Sequence, residues 1–312
     1  MSENKDFRTS IGGQALIEGI LMRGPKKQAI VCRTPDGLTA KVEELRFIKD
    51  RYPILGWPVI RGTVNFITTM IAGVRALTYS ADQLPEEEQE EPSKLDLWIE
   101  KHIGGAAAEK MIVGIAVVIG IAISVGLFIL LPTVLAGLLT NVVRSAVLRN
   151  LIEGVLRIAI FLGYMWLATR MKDIRRVWQY HGAEHKTIFC YEKGFPLTVE
   201  NARVQSRFHP RCGTSFLFIT MIVSILVFSL VRWSNVWVRM GLRLLLLPIV
   251  VGISYELIKW AGRNDNAVTR ILSAPGKALQ RLTTREPEDG MLEVAIEALK
   301  LVLPEVEGED RW

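Results

Sequence analysis

From Met111 to Leu131 the chain runs without one charged residue. A stretch of that length has a simple destination: a helix that satisfies its own backbone groups can cross the roughly 30 Å of bilayer hydrocarbon with about 20 apolar residues. Three further apolar stretches follow. Leu151 to Ala168 carries only Glu153 and Arg157, spaced i,i+4 so that they share a helix face. Thr214 to Val231 is free of charge, and Leu242 to Leu257 is bounded by Arg243, Glu256 and Lys259. Half of the 312 residues are hydrophobic and 22% are charged. That composition excludes a disordered chain, and a net charge of +6 interrupted by apolar runs is no nucleic-acid footprint.

Lys and Arg choose the orientation. Fifteen precede the first stretch, nine lie between residues 170 and 213, and seven follow residue 259, whereas the other two loops hold only Arg144, Arg149, Arg232, Arg239 and Arg243. The opening residues lack an apolar leader segment, so the expected placement is a multi-pass cell-membrane protein with both termini and the 170–213 loop in the cytoplasm. The expected fold is mainly α: a polytopic helical membrane protein with about four transmembrane helices, a small N-terminal α+β cytoplasmic part and a C-terminal amphipathic helical tail. The boundaries read as 1–82 for the N-terminal part, 83–100 for an acidic linker, 101–260 for the transmembrane bundle with its cytoplasmic loop, and 261–312 for the tail.

Within the N-terminal part, Gln28 to Arg33 and Leu38 to Val42 flank Thr34-Pro35-Asp36-Gly37, a turn sequence that predicts a β-hairpin. Residues 57–79 are apolar but broken by Arg61, Asn65 and Arg75, which favours an interfacial or bundle-packed helix over a fifth span. Thr284 to Asp289 reads as a helix start, followed by the amphipathic run Met291 to Leu303.

Histidine is scarce, four in the chain, and three of them, His181, His185 and His209, fall in the 170–213 loop together with Cys212. His181-Gly182-Ala183-Glu184-His185 sets two imidazoles one helical turn apart, a spacing that one metal ion can bridge, with Glu184 placed as a general base. Read literally it is the H-x-x-E-H order of inverted zinc proteases. Glu256, at the end of the last apolar stretch, is a candidate third ligand. His209 or Cys212 could serve instead, and all four nitrogen and sulfur donors together would close a structural tetrahedral site. Cys212 could equally be a thiolate nucleophile or a packing residue, while Cys32 and Cys190 read as structural. Glu153 is costly in hydrocarbon unless paired, with Arg157 as its local partner. Arg175, Arg176 and Arg211 could hold a phosphate or lipid headgroup.

The motifs Gly12 to Gly19 (GGQALIEG), Met22 to Pro25 (MRGP), Tyr180 to Lys186 (YHGAEHK), Leu197 to Ala202 (LTVENA), His209 to Phe216 (HPRCGTSF), Gly252 to Leu257 (GISYEL) and Gln280 to Pro287 (QRLTTREP) run through nearly the whole chain. In these stretches the chain resembles the YqhQ-like family of uncharacterised bacterial membrane proteins. The resemblance implies a metal-dependent membrane protein and supplies no substrate. It also draws attention to Glu18 and Arg23 as polar groups beside the glycine-rich turn, either as a further carboxylate of the site or as a salt-bridged turn.

The expected function is therefore a membrane-embedded hydrolase that uses zinc or another divalent transition metal at the cytoplasmic face, acting on a membrane-associated lipid or peptide. Glu184 would be catalytic, and His181, His185, His209, Cys212 and Glu256 the ligand set. Glu18, Arg23, Arg211 and Glu153 would stand around it. The rival expectation is a non-catalytic assembly factor or scaffold whose His/Cys cluster is a structural metal site. A transporter is suggested only by Glu153, Arg157 and Glu256.

Overall fold

The structure is a computed structural model that describes residues 7–85, 93–139, 142–143, 145–230, 235–264, 266–306 and 308–311. The acidic run of the 83–100 linker (Glu86 to Pro92), the first six residues, and Arg144 and Arg232 lie outside the described residues. The chain is mainly helical with one small N-terminal antiparallel sheet, and it divides into two compact units. Unit 1 comprises Met1–Leu84, Tyr164–Ser224 and Leu247–Trp312, and unit 2 comprises Pro85–Gly163 and Ile225–Leu246.

In unit 1 the strands β1 (Gly12–Leu16), β2 (Gly19–Arg23), β3 (Lys27–Thr34) and β4 (Gly37–Glu44) form a meander in sequence order. The expected hairpin is β3–β4, in register Thr34 to Gly37. The first two strands were not foreseen, because GGQALIEG reads as a turn. The turn is confined to Ile17 and Glu18, whose φ of 50° lies in the left-handed region.

Side-chain alternation splits the sheet's two faces. Ile20, Met22, Ala29 and Val31 point to a core shared with Tyr180, Ala183 and Ile188 of α7 (Lys172–Glu192) and with Met291, Leu292, Ala295 and Leu299 of α12 (Asp289–Lys300). Leu16, Leu21, Ile30 and Cys32 point the other way, onto Ala76 and Tyr79 of α2 (Ile60–Asp82). β2 is buried on both faces, and β4 is an exposed edge carrying Lys41, Glu43 and Glu44, charges that discourage edge pairing. The C-terminal amphipathic run is thus a core helix of this sheet, starting at Asp289. Thr284 caps the end of α11 (Ala267–Thr283) by donating its hydroxyl to the Gln280 carbonyl. Both ends of the described chain close unit 1: Thr9 Oγ1 donates to Asp310 Oδ2 at 2.6 Å, and Thr9 bridges with Arg311.

Among the described residues, three helical segments are long and apolar enough to cross a membrane: Lys110–Leu138, Leu148–Ala168 and Trp237–Arg263. They lie in α4 (Gly105–Val125) continued by a π-helical turn and α5 (Leu131–Leu138), in α6 (Ala146–Ala168), and in α10 (Val236–Arg263). The third stretch expected from sequence is α9 (Gly213–Ser229), apolar but only 17 residues long. α2, the 57–79 segment of the sequence reading, is not among the three. Its start packs along α10, where Arg61 forks onto Glu256 and Thr63 donates to the Pro248 carbonyl. The short helices α1 (Ile48–Arg51), α3 (Lys94–Ile103) and α8 (Val199–Arg203) and a 3-10 turn at Pro53–Gly56 complete the described elements.

Unit 2 holds a buried polar cluster between apolar helices. Glu153, Arg157 and Arg243 are 3%, 5% and 1% exposed. Glu153 Oε1 accepts from Thr133 Oγ1 at 2.9 Å, from Arg157 Nη2 at 3.1 Å and from Arg243 Nη1. Both guanidinium groups also lie over the Phe228 ring.

Candidate metal centre

α7 carries the centre. Its buried face packs Tyr180, Ala183 and Ile188 on the sheet, and the same helical period brings His181, Glu184 and His185 together on an adjoining stripe. The two imidazole centroids are 4.4 Å apart. Two glycines let other chain segments come this close. A Cβ on Gly182 would run into the Arg285 carbonyl where that extended segment crosses α7, and Arg285 N donates there to the Trp178 carbonyl. A Cβ on Gly13 would lie 2.6 Å from the Leu21 carbonyl oxygen and 3.2 Å from Glu184 Cδ, so β1 can reach the carboxylate only as glycine.

Each imidazole is oriented by a backbone carbonyl. His181 Nδ1 donates to Thr283 O at 2.8 Å and His185 Nδ1 donates to Arg207 O at 2.5 Å. A carbonyl only accepts, so both Nδ1 atoms carry hydrogen and both rings turn Nε2 inward. His181 Nε2 lies 3.1 Å from Cys212 Sγ, while His185 Nε2 is buried and makes no hydrogen bond. Ligand atoms of His181, His185 and Cys212 all fall within 4.8 Å of one another. An orphaned buried nitrogen beside a sulfur and a second imidazole, each ring held from behind by a carbonyl, is the donor set and outer shell that a zinc ion uses.

The electrostatics are those of a charged pair. Burial alone would push the Cys212 thiol up, but the neighbouring His181 and His185 outweigh it and hold the thiol well below its usual range. Burial would push His181 down, yet the Cys212 sulfur and Glu184 outweigh it and raise the imidazole to about 9. Thr214 supports the sulfur from outside, its N and Oγ1 donating to Sγ at 3.4 and 3.3 Å. Burial also raises Glu184 above the usual carboxylate range, and its Oε1 accepts a single backbone hydrogen bond, from Gly13 N at 2.9 Å. A carboxylate shifted toward neutrality beside metal-type ligands is suited to exchanging a proton.

The remaining sequence candidates lie elsewhere. His209 is next to the trio, its ring centroid 5.6 Å from that of His185, but it is committed to other partners. Gln280 bridges its backbone, accepting from His209 N at 2.8 Å and donating to His209 O at 2.7 Å, and Nε2 faces Glu192 Oε2 at 3.4 Å. Burial lowers His209 to about 4, so the ring is neutral at pH 7. Arg211 pairs with Glu192. Glu256 is held by Arg61 and by Val59 N, away from the trio. Glu18 is a salt-bridged turn, paired with Arg176 and accepting from Tyr180 Oη at 3.0 Å. Arg23 donates to Thr69, and Glu153 belongs to unit 2. Sequence reasoning missed Glu192, Gln280, Thr214 and the two orienting carbonyls. Gln280, Thr283 and Thr214 stand inside motifs that the sequence had marked, and Glu192 and Arg207 do not.

Residues 57–305 match the family described as "Protein of unknown function (DUF1385)". The chain is also 33% identical to "Uncharacterized protein YqhQ" of Bacillus subtilis (strain 168) over 317 residues, covering 97% of this chain and 95% of that protein. No solved structure matches. With the family match spanning most of the chain and the relative spanning nearly all of it, including the β1 strand that meets Glu184, this protein belongs to the DUF1385 family.

Proposed function

We propose that this protein is a membrane-embedded, metal-dependent hydrolase of the cell membrane, with both termini and the α7–α9 connection at the cytoplasmic face and α9 as a fourth, short span. One observation carries the reading: two carbonyl-oriented imidazoles and a sulfur with ligand atoms inside 4.8 Å, next to a buried carboxylate. Three protein ligands leave a coordination position open, which is the pattern of catalytic rather than structural zinc. His181, His185 and Cys212 would hold zinc, and the ion would supply Lewis acidity and ease deprotonation of water. Glu184 then takes the proton and later delivers it to the leaving group, a transfer that its raised pKa favours. The Gly13 N–H fixes the carboxylate while it does so.

A structural role for the same metal is favoured by enclosure, since His185 and Cys212 are both buried. Elemental analysis of the purified protein separates the readings from each other and from neither. The hydrolase reading expects one zinc per chain, lost in His185→Ala, and a Glu184→Gln variant that keeps zinc but loses function in a complementation assay. Function retained by Glu184→Gln selects the structural role. Absence of stoichiometric metal in the wild type removes both.

A further inference from the structure

A cleft of about 1470 Å³ opens in unit 1 between the end of α7, the segment leading into α9, the end of α10 and α11. One wall is apolar: Phe189, with Ile219 of α9 and Ile258 and Ala261 of α10. The last two lie near the end of a segment long and apolar enough to span a membrane. Five basic side chains line the cleft against three acidic ones, and the acids already have partners. Glu192 is paired with Arg211, Glu305 with Lys27 at 2.7 Å, and Asp310 accepts from Thr9. The lining thus holds more basic than acidic side chains, Lys277 of α11 among the basic ones.

Two buried donors of the lining lack an acceptor. Arg211 Nε and Ser215 Oγ make no hydrogen bond among the described residues, although Ser215 is 2% exposed and the Arg211 side chain 10%. Buried polar groups are rarely left so, and two of them together beneath a basic, half-apolar cleft point to an anion that is part of something larger and apolar. Basic pockets beside membrane helices hold lipid phosphates in this way.

We propose that this cleft binds an anionic phospholipid, the phosphate accepting from Arg211 Nε and Ser215 Oγ and the acyl chains lying along Phe189, Ile219, Ile258 and Ala261. Arg211 touches His209, whose ring neighbours His185, so the headgroup is brought to the edge of the candidate metal centre. As a statement of substrate class, this rests on the hydrolase reading; as a binding site, it stands without it. Free phosphate shares the headgroup chemistry but has no use for the apolar wall.

The test is binding of dioleoylphosphatidylglycerol, dioleoylphosphatidylcholine and inorganic phosphate to the full chain in detergent micelles, by native mass spectrometry and by competition. Phosphatidylglycerol is expected to bind at least about tenfold more tightly than phosphatidylcholine, roughly 1.4 kcal/mol, with inorganic phosphate failing to compete at equal concentration. Ser215→Ala and Lys277→Glu should each abolish that preference with an unchanged melting temperature. Lys300→Glu, an equal change of charge on the exposed end of α12, should leave it intact. Equal affinity for the two lipids, an unaltered preference in both cleft variants, or its loss in Lys300→Glu overturns the proposal, and competition by inorganic phosphate at equal concentration reassigns the cleft to a soluble anion. Zinc is measured on the same samples. Lipid preference without zinc removes the hydrolase and keeps the site, and zinc without lipid preference does the reverse.

Discussion

In unit 2 the Glu153 carboxylate receives Thr133, Arg157 and Arg243 on a single oxygen, whereas in unit 1 Glu184 receives one backbone N–H, from Gly13. Both acids are buried, 3% and 5% exposed. The first is saturated by donors and flanked by two cations, so its charge is what makes those arginines tolerable among apolar helices. The second has capacity to spare and lies beside an imidazole nitrogen that makes no hydrogen bond among the described residues. Saturation marks a group that holds structure together, and spare capacity marks one that can exchange a proton.

The largest expected effect breaks or upholds that contrast directly. Glu153→Gln strands two buried guanidinium groups and should cost about 3–5 kcal/mol, read from unfolding in mixed micelles, while Glu184→Gln should stay within about 1 kcal/mol of wild type. Similar losses in the two variants would end the comparison.

A pH series sharpens it. His209 is held at about 4 in the folded chain against an ordinary value of 6.5, so below 6.5 the unfolded chain takes up a proton that the folded one refuses. Stability should be full above pH 6.5 and fall by roughly 3 kcal/mol as pH drops through 4. In chelator, His209→Gln should flatten that slope; an unchanged slope would mean that His209 is not buried neutral. Smaller again is Gly13→Ala. Crowding against the Leu21 carbonyl should cost about 1–3 kcal/mol, and on the proposed hydrolase reading the displaced Glu184 should lower turnover by up to about a hundredfold without loss of zinc. Arg176→Ala, which releases the half-exposed Glu18 pair, should change the unfolding free energy by under about 1 kcal/mol, with a dependence on salt.

The helical membrane character was legible because a charge-free run of some 20 residues admits few other structures. β1 and β2 were not. Ile20, Leu21 and Met22 are all buried, since the sheet is covered on both faces, and the alternation that betrays a strand was erased. The spacing of His181, Glu184 and His185 announced a shared helix face, and the crowding of histidines into one loop with Cys212 pointed at that sulfur. Nothing in the spacing could say that His209 would turn to Glu192 and Gln280, or that Arg61, far off in sequence, would occupy Glu256. Those outcomes depend on how α11 and α2 pack, and packing between distant segments leaves no periodic trace.

The pairing of Thr9 with Asp310 and Arg311 gives the protein a timetable. A nascent chain emerges N-terminus first, yet the sheet that seats Glu184 is completed by α12, and the carbonyl that turns His181 belongs to Thr283. Segments far apart in the sequence must be present together, so this centre assembles only after the α12 segment has been made.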